Sequence, residues 1–135
     1  MPKYIFKKNE YTKFEKKDYV DLVLKEYTGR KYNQTKIRWF HLPGEKLVAK
    51  DYGYSLGINI GVNSFAPGGV YEAHKHKSPS FYYVISGKAK VRVGDEERIV
   101  GPGTWVVTPP HTPHAVENIG KKPFTYITCD TLHED

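Results

Sequence analysis

The 135-residue chain holds a single cysteine, Cys129, so it closes no internal disulfide and carries no thiolate-based zinc site. No run approaches the ~18 apolar residues of a membrane span, and no membrane partner is expected. The N-terminus, Met1-Pro2-Lys3-Tyr4-Ile5-Phe6-Lys7-Lys8, has neither an apolar core nor a small-residue cleavage site. Secretion is therefore not expected, and a cytoplasmic setting is. Heptads, internal repeats and low-complexity linkers are missing too, which excludes a coiled coil and a disordered tail. What remains is a soluble composition, 39% hydrophobic and 27% charged, of a length that suits one domain.

The net charge of +6 is unevenly placed. Residues 1–50 hold thirteen Lys and Arg against six Asp and Glu, whereas residues 51–135 hold eight against nine. Aromatics are interleaved with the basic third at Tyr4, Phe6, Tyr11, Phe14 and Tyr19. Basic and aromatic residues together can mark a nucleic-acid surface, but no nucleic-acid module accompanies them. A lysine-covered surface over strands that dock by their aromatics is the reading adopted, with no nucleic-acid partner.

Residues 15–30 are open between helix and strand. Tyr19, Leu22, Val23 and Tyr27 have helical spacing with Gly29 as a stop, while the β-branched content allows a strand. From there the chain reads as β. Lys36–Leu42 is apolar and aromatic. Tyr52, Tyr54, Leu56, Ile58, Ile60 and Val62 alternate with Gly53, Ser55, Gly57, Asn59, Gly61 and Asn63, so something is expected to pack close to the backbone on the small-residue face. Pro67-Gly68-Gly69 is expected to end that strand. Short strands are predicted near 70–76, 81–86, 88–93, 96–100, 104–108, 114–118 and 124–130, separated by Gly, Pro and Asp turns. Such spacing implies an all-β antiparallel sandwich or barrel.

Four of the six histidines fall in two groups, His74 with His76 and His111 with His114. In a strand, residues i and i+2 share a face, so His74 and His76 present two imidazoles together. A third from another strand would complete a facial set, suited to Zn, Fe, Cu or Ni. The surroundings are more specific than the pair. Gly68, five residues, His74-Lys75-His76, three residues, Ser80, six residues, Gly87 forms one pattern. Gly103, five residues, Pro109, four residues, His114, three residues, Asn118 forms a second. Together with Tyr83-Val84-Ile85-Ser86-Gly87 and 107–114, these resemble the two motifs of the cupin superfamily over about residues 52–130.

The resemblance implies a double-stranded β-helix, or jelly-roll barrel, with a metal in its mouth. Residues 51–135 would form the barrel, and 1–50 an N-terminal strand or helix extension packed on it or on a dimer partner. A homodimer is the expected assembly. The resemblance also implies His74, His76 and His114 as ligands of one divalent metal ion, iron first, with manganese, nickel or zinc as alternatives. Many cupins have Glu where this chain has Ser80, so the site is of the three-histidine type. His111 replaces the family's usual Gly, either as a proton carrier or as a histidine on the rim.

Strand parity nominates Glu72 and Tyr82 as inward-facing neighbours. Tyr82 could donate to a substrate oxygen or serve as a base, and otherwise is a barrel aromatic. Glu72 could be a base or an extra ligand, and otherwise pairs with Arg92 at the mouth. Tyr54, Tyr71 and Tyr83 are further pocket candidates. Lys75 and Lys77 are assigned to the surface and Cys129 to the core. The function expected is a divalent-metal-dependent enzyme on a small-molecule substrate. First comes a non-haem iron dioxygenase of a chelating organic acid or diketone. A non-redox lyase or isomerase using Tyr82, Glu72 or His111 is the alternative, and a sugar- or metabolite-binding barrel a third.

Overall fold

A computed structural model describes residues 19–26, 29–41 and 57–131, together with Ile5, Lys7 and Gly53. Among these residues there are nine strands and no helix. They are β1 (Val20–Lys25), β2 (Lys31–His41), β3 (Ile58–His74), β4 (Ser80–Ser86), β5 (Ala89–Val93), β6 (Glu96–Val100), β7 (Trp105–Thr108), β8 (His114–Asn118) and β9 (Phe124–Thr131). Of the ambiguous residues before Arg30, Val20–Lys25 are strand and Tyr27 lies outside the described residues, and Gly29, at φ 89°, stands in the turn between β1 and β2 rather than stopping a helix.

All pairings are antiparallel, in the order β6-β5-β8-β3-β9-β4-β7, with β2 also on β3 and β1 on β2. Strand β3 organises the barrel. Its first half, Ile58 to Phe65, pairs with β9, and its second, Val70 to His74, pairs with β8. One strand thus passes from one wall of the barrel to the other. The expected strand end at Pro67-Gly68-Gly69 is corrected to a bend within this single 17-residue strand. There β2 opposes Ile37 to Phe65 and Thr35 to Val70, so four residues of β3 face Lys36 alone. Gly68 and Lys36 both adopt positive φ, at 81° and 53°, which lets the pairing resume beyond the corner.

The core lies between the walls. Phe65 and Phe124 are fully buried with ring centroids 6.1 Å apart, and Tyr126 packs 5.8 Å from both. Val84, Ala89, Val91 and Val116 complete it from β4, β5 and β8. Gly87 allows the walls to close: a Cβ there would stand 2.4 Å from the Pro123 carbonyl oxygen, and its φ is 85°. Asn118 ties the far end, donating to the Phe65 and Lys122 carbonyls while its own oxygen accepts from the Gly120 N–H.

On the small-residue face of the expected strand at 52–62, Gly57 and Asn59 are exposed, Gly61 is buried and the adjoining Asn63 borders a cavity. Tyr52, Tyr54 and Leu56 lie outside the described residues.

Candidate metal centre

His74 ends β3 and sits directly opposite His114, which opens β8. His76 follows two residues beyond β3, and its carbonyl accepts from the His111 N–H at 2.8 Å. The three rings converge, with centroids 4.1 Å apart for His74–His114, 4.9 Å for His76–His114 and 5.7 Å for His74–His76. Their candidate ligand atoms all lie within 4.8 Å of one another.

Each imidazole is oriented by the same device. The Nδ1–H of His74 donates to the Glu72 carbonyl at 2.8 Å, that of His76 to the Ser78 carbonyl at 2.8 Å, and that of His114 to the Thr112 carbonyl at 2.9 Å. A carbonyl can only accept, so in all three rings the lone pair is left on Nε2. Burial, and next the neighbouring His114, push the His74 pKa down to about 3. Burial likewise lowers His114 to about 4. Both are therefore neutral near pH 7, the form a metal needs.

The Nε2 of His74 is buried without a hydrogen-bond partner, a costly arrangement for a protein with nothing to bind there. An ion held by three neutral imidazoles satisfies it. The cluster fits a divalent metal ion.

Beside the histidines lies a cavity of about 310 Å³. Its barrel side includes His76, His114, Tyr82, Tyr126 and Asn63, and its other side is the β1–β2 hairpin, through Leu22, Leu24, Gln34, Ile37 and Trp39. Among the described residues no Lys or Arg lines it. Tyr82 and Tyr126 stack with centroids 4.1 Å apart. The Tyr126 hydroxyl accepts from Asn63 at 3.0 Å, while the buried Tyr82 hydroxyl has no partner. Burial raises the pKa of both, so each is a protonated donor at neutral pH.

The other nominated residues fall differently. Ser80 lines the cavity, but its hydroxyl is engaged with that of Thr108 on β7. Glu72 does not face the histidines: it is exposed, and its carboxylate accepts from the Asn33 N–H at 2.8 Å. A bulge between Tyr71 and His74 is the reason. It puts one extra residue into β3, which reverses the parity and brings Tyr71 inward instead. Tyr71 stacks on His74 at 3.9 Å.

Arg92 donates to the Gly94 carbonyl rather than to Glu72. His111 is exposed on the turn before β8, with φ 57°, which explains why a glycine suits this position. Tyr83 points to the outer face, against Trp105 at 4.6 Å. Tyr54 lies outside the described residues. Cys129 is half-buried beside Phe81 rather than in the core, and burial raises its thiol pKa.

The hairpin residues and Tyr126 escaped the motifs. Their sequence signals are Leu22 and Leu24 at alternate positions of β1, the apolar and aromatic run of 36–41 on β2, and Phe124 with Tyr126 on β9.

A curled antiparallel sheet with a facial set of histidines at one end of its cavity defines a metal-binding β-barrel of the jelly-roll class. The family model for the cupin domain matches residues 61–129, just over half of the chain. The protein belongs to the cupin family. An uncharacterized protein of Methanocaldococcus jannaschii is 36% identical over 66 residues, 46% of this chain and 53% of its own length. The chain thus spans about half the length of that curated relative.

Among solved structures, a cupin-2 domain from Rhodospirillum rubrum superposes with a TM-score of 0.65 at 16% identity, covering 87% of this chain and 72% of its own. A predicted oxalate decarboxylase from Thermotoga maritima gives 0.62 at 15% identity, covering 85% and 94%. At these identities the likeness is one of fold. No helix among the described residues is long and apolar enough to cross a membrane.

Proposed function

We propose that this cupin is a metal-dependent enzyme of small molecules, and first a non-haem iron dioxygenase acting on a chelating organic acid, a diketone or a similar substrate. The observation that carries it is the set of three imidazoles whose ligand atoms lie within 4.8 Å of one another with no carboxylate among them. Bound iron would keep its full positive charge and offer adjacent positions to a chelating substrate and O₂. The described lining holds no Lys or Arg and one carboxylate, Asp130, so the metal's charge is what would recruit an anionic chelator.

The chain's own residues do the rest. Leu22, Leu24 and Trp39 wall the substrate off from water, and Tyr82 donates its unpaired hydroxyl to a substrate oxygen.

That same hydroxyl supports the second reading, a non-redox lyase or isomerase in which Tyr82 hands a proton to the substrate. Reconstitution under argon with Fe(II) or Zn(II), followed by assay with small diketones and hydroxy acids in aerated buffer, separates the two. The dioxygenase reading expects O₂ uptake coupled to substrate loss with iron alone. Turnover with zinc and no O₂ uptake favours the lyase or isomerase. Saturable binding with no turnover under either metal leaves a receptor barrel.

A further inference from the structure

We infer that the β1–β2 hairpin is part of the metal centre, with Glu26 as the positioning residue that holds the His74–His76 segment in ligating shape. This rests on the histidine cluster being a metal site and not on which reaction it supports. Glu26 follows β1 directly, in a turn closed by Glu26 N–H to Arg30 carbonyl at 3.0 Å and Gly29 N–H to Glu26 carbonyl at 2.8 Å. Its side chain is only 2% exposed. Carboxylates are buried when something holds them there, since desolvation without partners is expensive.

Two described groups bind it. The Arg30 Nε donates to Oε1 at 2.9 Å, from a side chain that is itself 73% exposed. The Lys75 N–H donates to Oε2 at 3.1 Å, across 49 positions of sequence.

Lys75 is the residue between the two ligands. Fixing its N–H fixes the plane of the His74–Lys75 peptide, and with it the spacing between the imidazoles of His74 and His76. Two further contacts come from the same hairpin. Tyr32 on β2 stacks on the His74 ring at 4.6 Å, nearly parallel at 13°. The Asn33 N–H holds the Glu72 carboxylate, two residues before His74. The hairpin therefore grips residues 72, 74 and 75 in succession. Groups that orient ligands in this way change metal affinity by about 10–100-fold when removed.

The test uses the full chain and two variants, Glu26→Ala and Glu26→Gln. Co(II) and Zn(II) affinities are measured by competition with a chromogenic chelator, and exchange of the Lys75 amide is followed by NMR. The Ala variant should lose protection at Lys75 and bind both ions ~10–100-fold more weakly. The Gln variant keeps an oxygen acceptor and should restore most of both.

Wild-type affinity in the Ala variant overturns the proposal. So does a Gln variant as weak as Ala, because that would make charge, not positioning, the cause. Should Glu26→Ala fail to fold, the wild-type protein decides alone. Metal binding must slow exchange at Lys75 by reciprocal coupling, and an unchanged rate refutes the link. A wild-type chain that takes up neither ion overturns the metal site itself.

Discussion

The β1–β2 hairpin and the β3–β8 pair border the same cavity and are built on opposite plans. On β3 and β8 the chemistry is local: His74 faces His114 across one rung of a ladder, and His76 lies two residues away. Each ring is oriented by a carbonyl within two residues of it. The hairpin contributes no ligand. Its apolar residues Leu22, Leu24, Ile37 and Trp39 border the cavity, while Lys25, Arg30, Lys31 and Lys36 stand exposed on its other side. Its buried carboxylate, Glu26, reaches the ligand segment from far away in sequence. Residues that bind a metal can be set by a few adjacent backbone groups, but a cavity wall needs surface from another part of the chain. Of the basic charge of the N-terminal third, the described residues Lys25, Arg30, Lys31 and Lys36 lie on the exposed side of that wall.

If the barrel side alone binds the ion, His76→Ala should abolish it. Elemental analysis should fall from about one metal per chain to near none, with a melting curve that stays cooperative because the barrel has a hydrophobic core of its own. Collapse of the fold would make the metal structural and erase the distinction between wall and ligands.

Next in size is Tyr82→Phe. Turnover should fall by roughly a hundredfold if the hydroxyl donates to substrate. Stability should hold or rise by about 1 kcal/mol, because the hydroxyl lost is buried and unpaired. An active variant would return Tyr82 to the core and leave catalysis to the rest of the cavity.

Acid sharpens the comparison further. In the metal-free protein, His74 and His114 titrate near 3 and 4, against about 6.5 in an unfolded chain. Above pH 6.5 neither state holds the protons. Below it the unfolded chain gains protons that the buried rings refuse, so stability is lost as pH falls from about 6.5 toward the folded values and levels off below them. The urea midpoint of the metal-free protein should drop between pH 7 and pH 5, and a flat midpoint would contradict the burial of these rings.

The smallest effect expected is on the rim. His111→Gly relieves a left-handed backbone and should raise stability by up to about 1 kcal/mol in a thermal melt, with metal binding unchanged. A loss of metal would bring His111 back toward the site.

Much of this was legible beforehand. The strands from Ser80 onward match their expected ranges to within a residue or two, because Gly, Pro and Asp turns cut the chain at their ends. The histidine triad was legible for a related reason, as its members lie at or just beyond strand ends with fixed spacing to those turns. Glu72 was misplaced because parity counting assumes an unbroken pleat, and the bulge before His74 adds a residue that no composition announces. The continuity of β3 through Pro67-Gly68-Gly69 was hidden as well. A bend and a break use the same residues, and the partner strand decides between them.

By itself, the sequence determined an all-β barrel, two motifs and three imidazoles, since alternation, turn chemistry and ligand type are properties of short stretches. Only the tertiary structure decided which tyrosines enter the cavity, that the β1–β2 hairpin forms its second wall, and that Glu26 meets Lys75. Those outcomes depend on contacts tens of residues apart. Such contacts exist only once the sheet has curled and its bulges have set which side of each strand faces in.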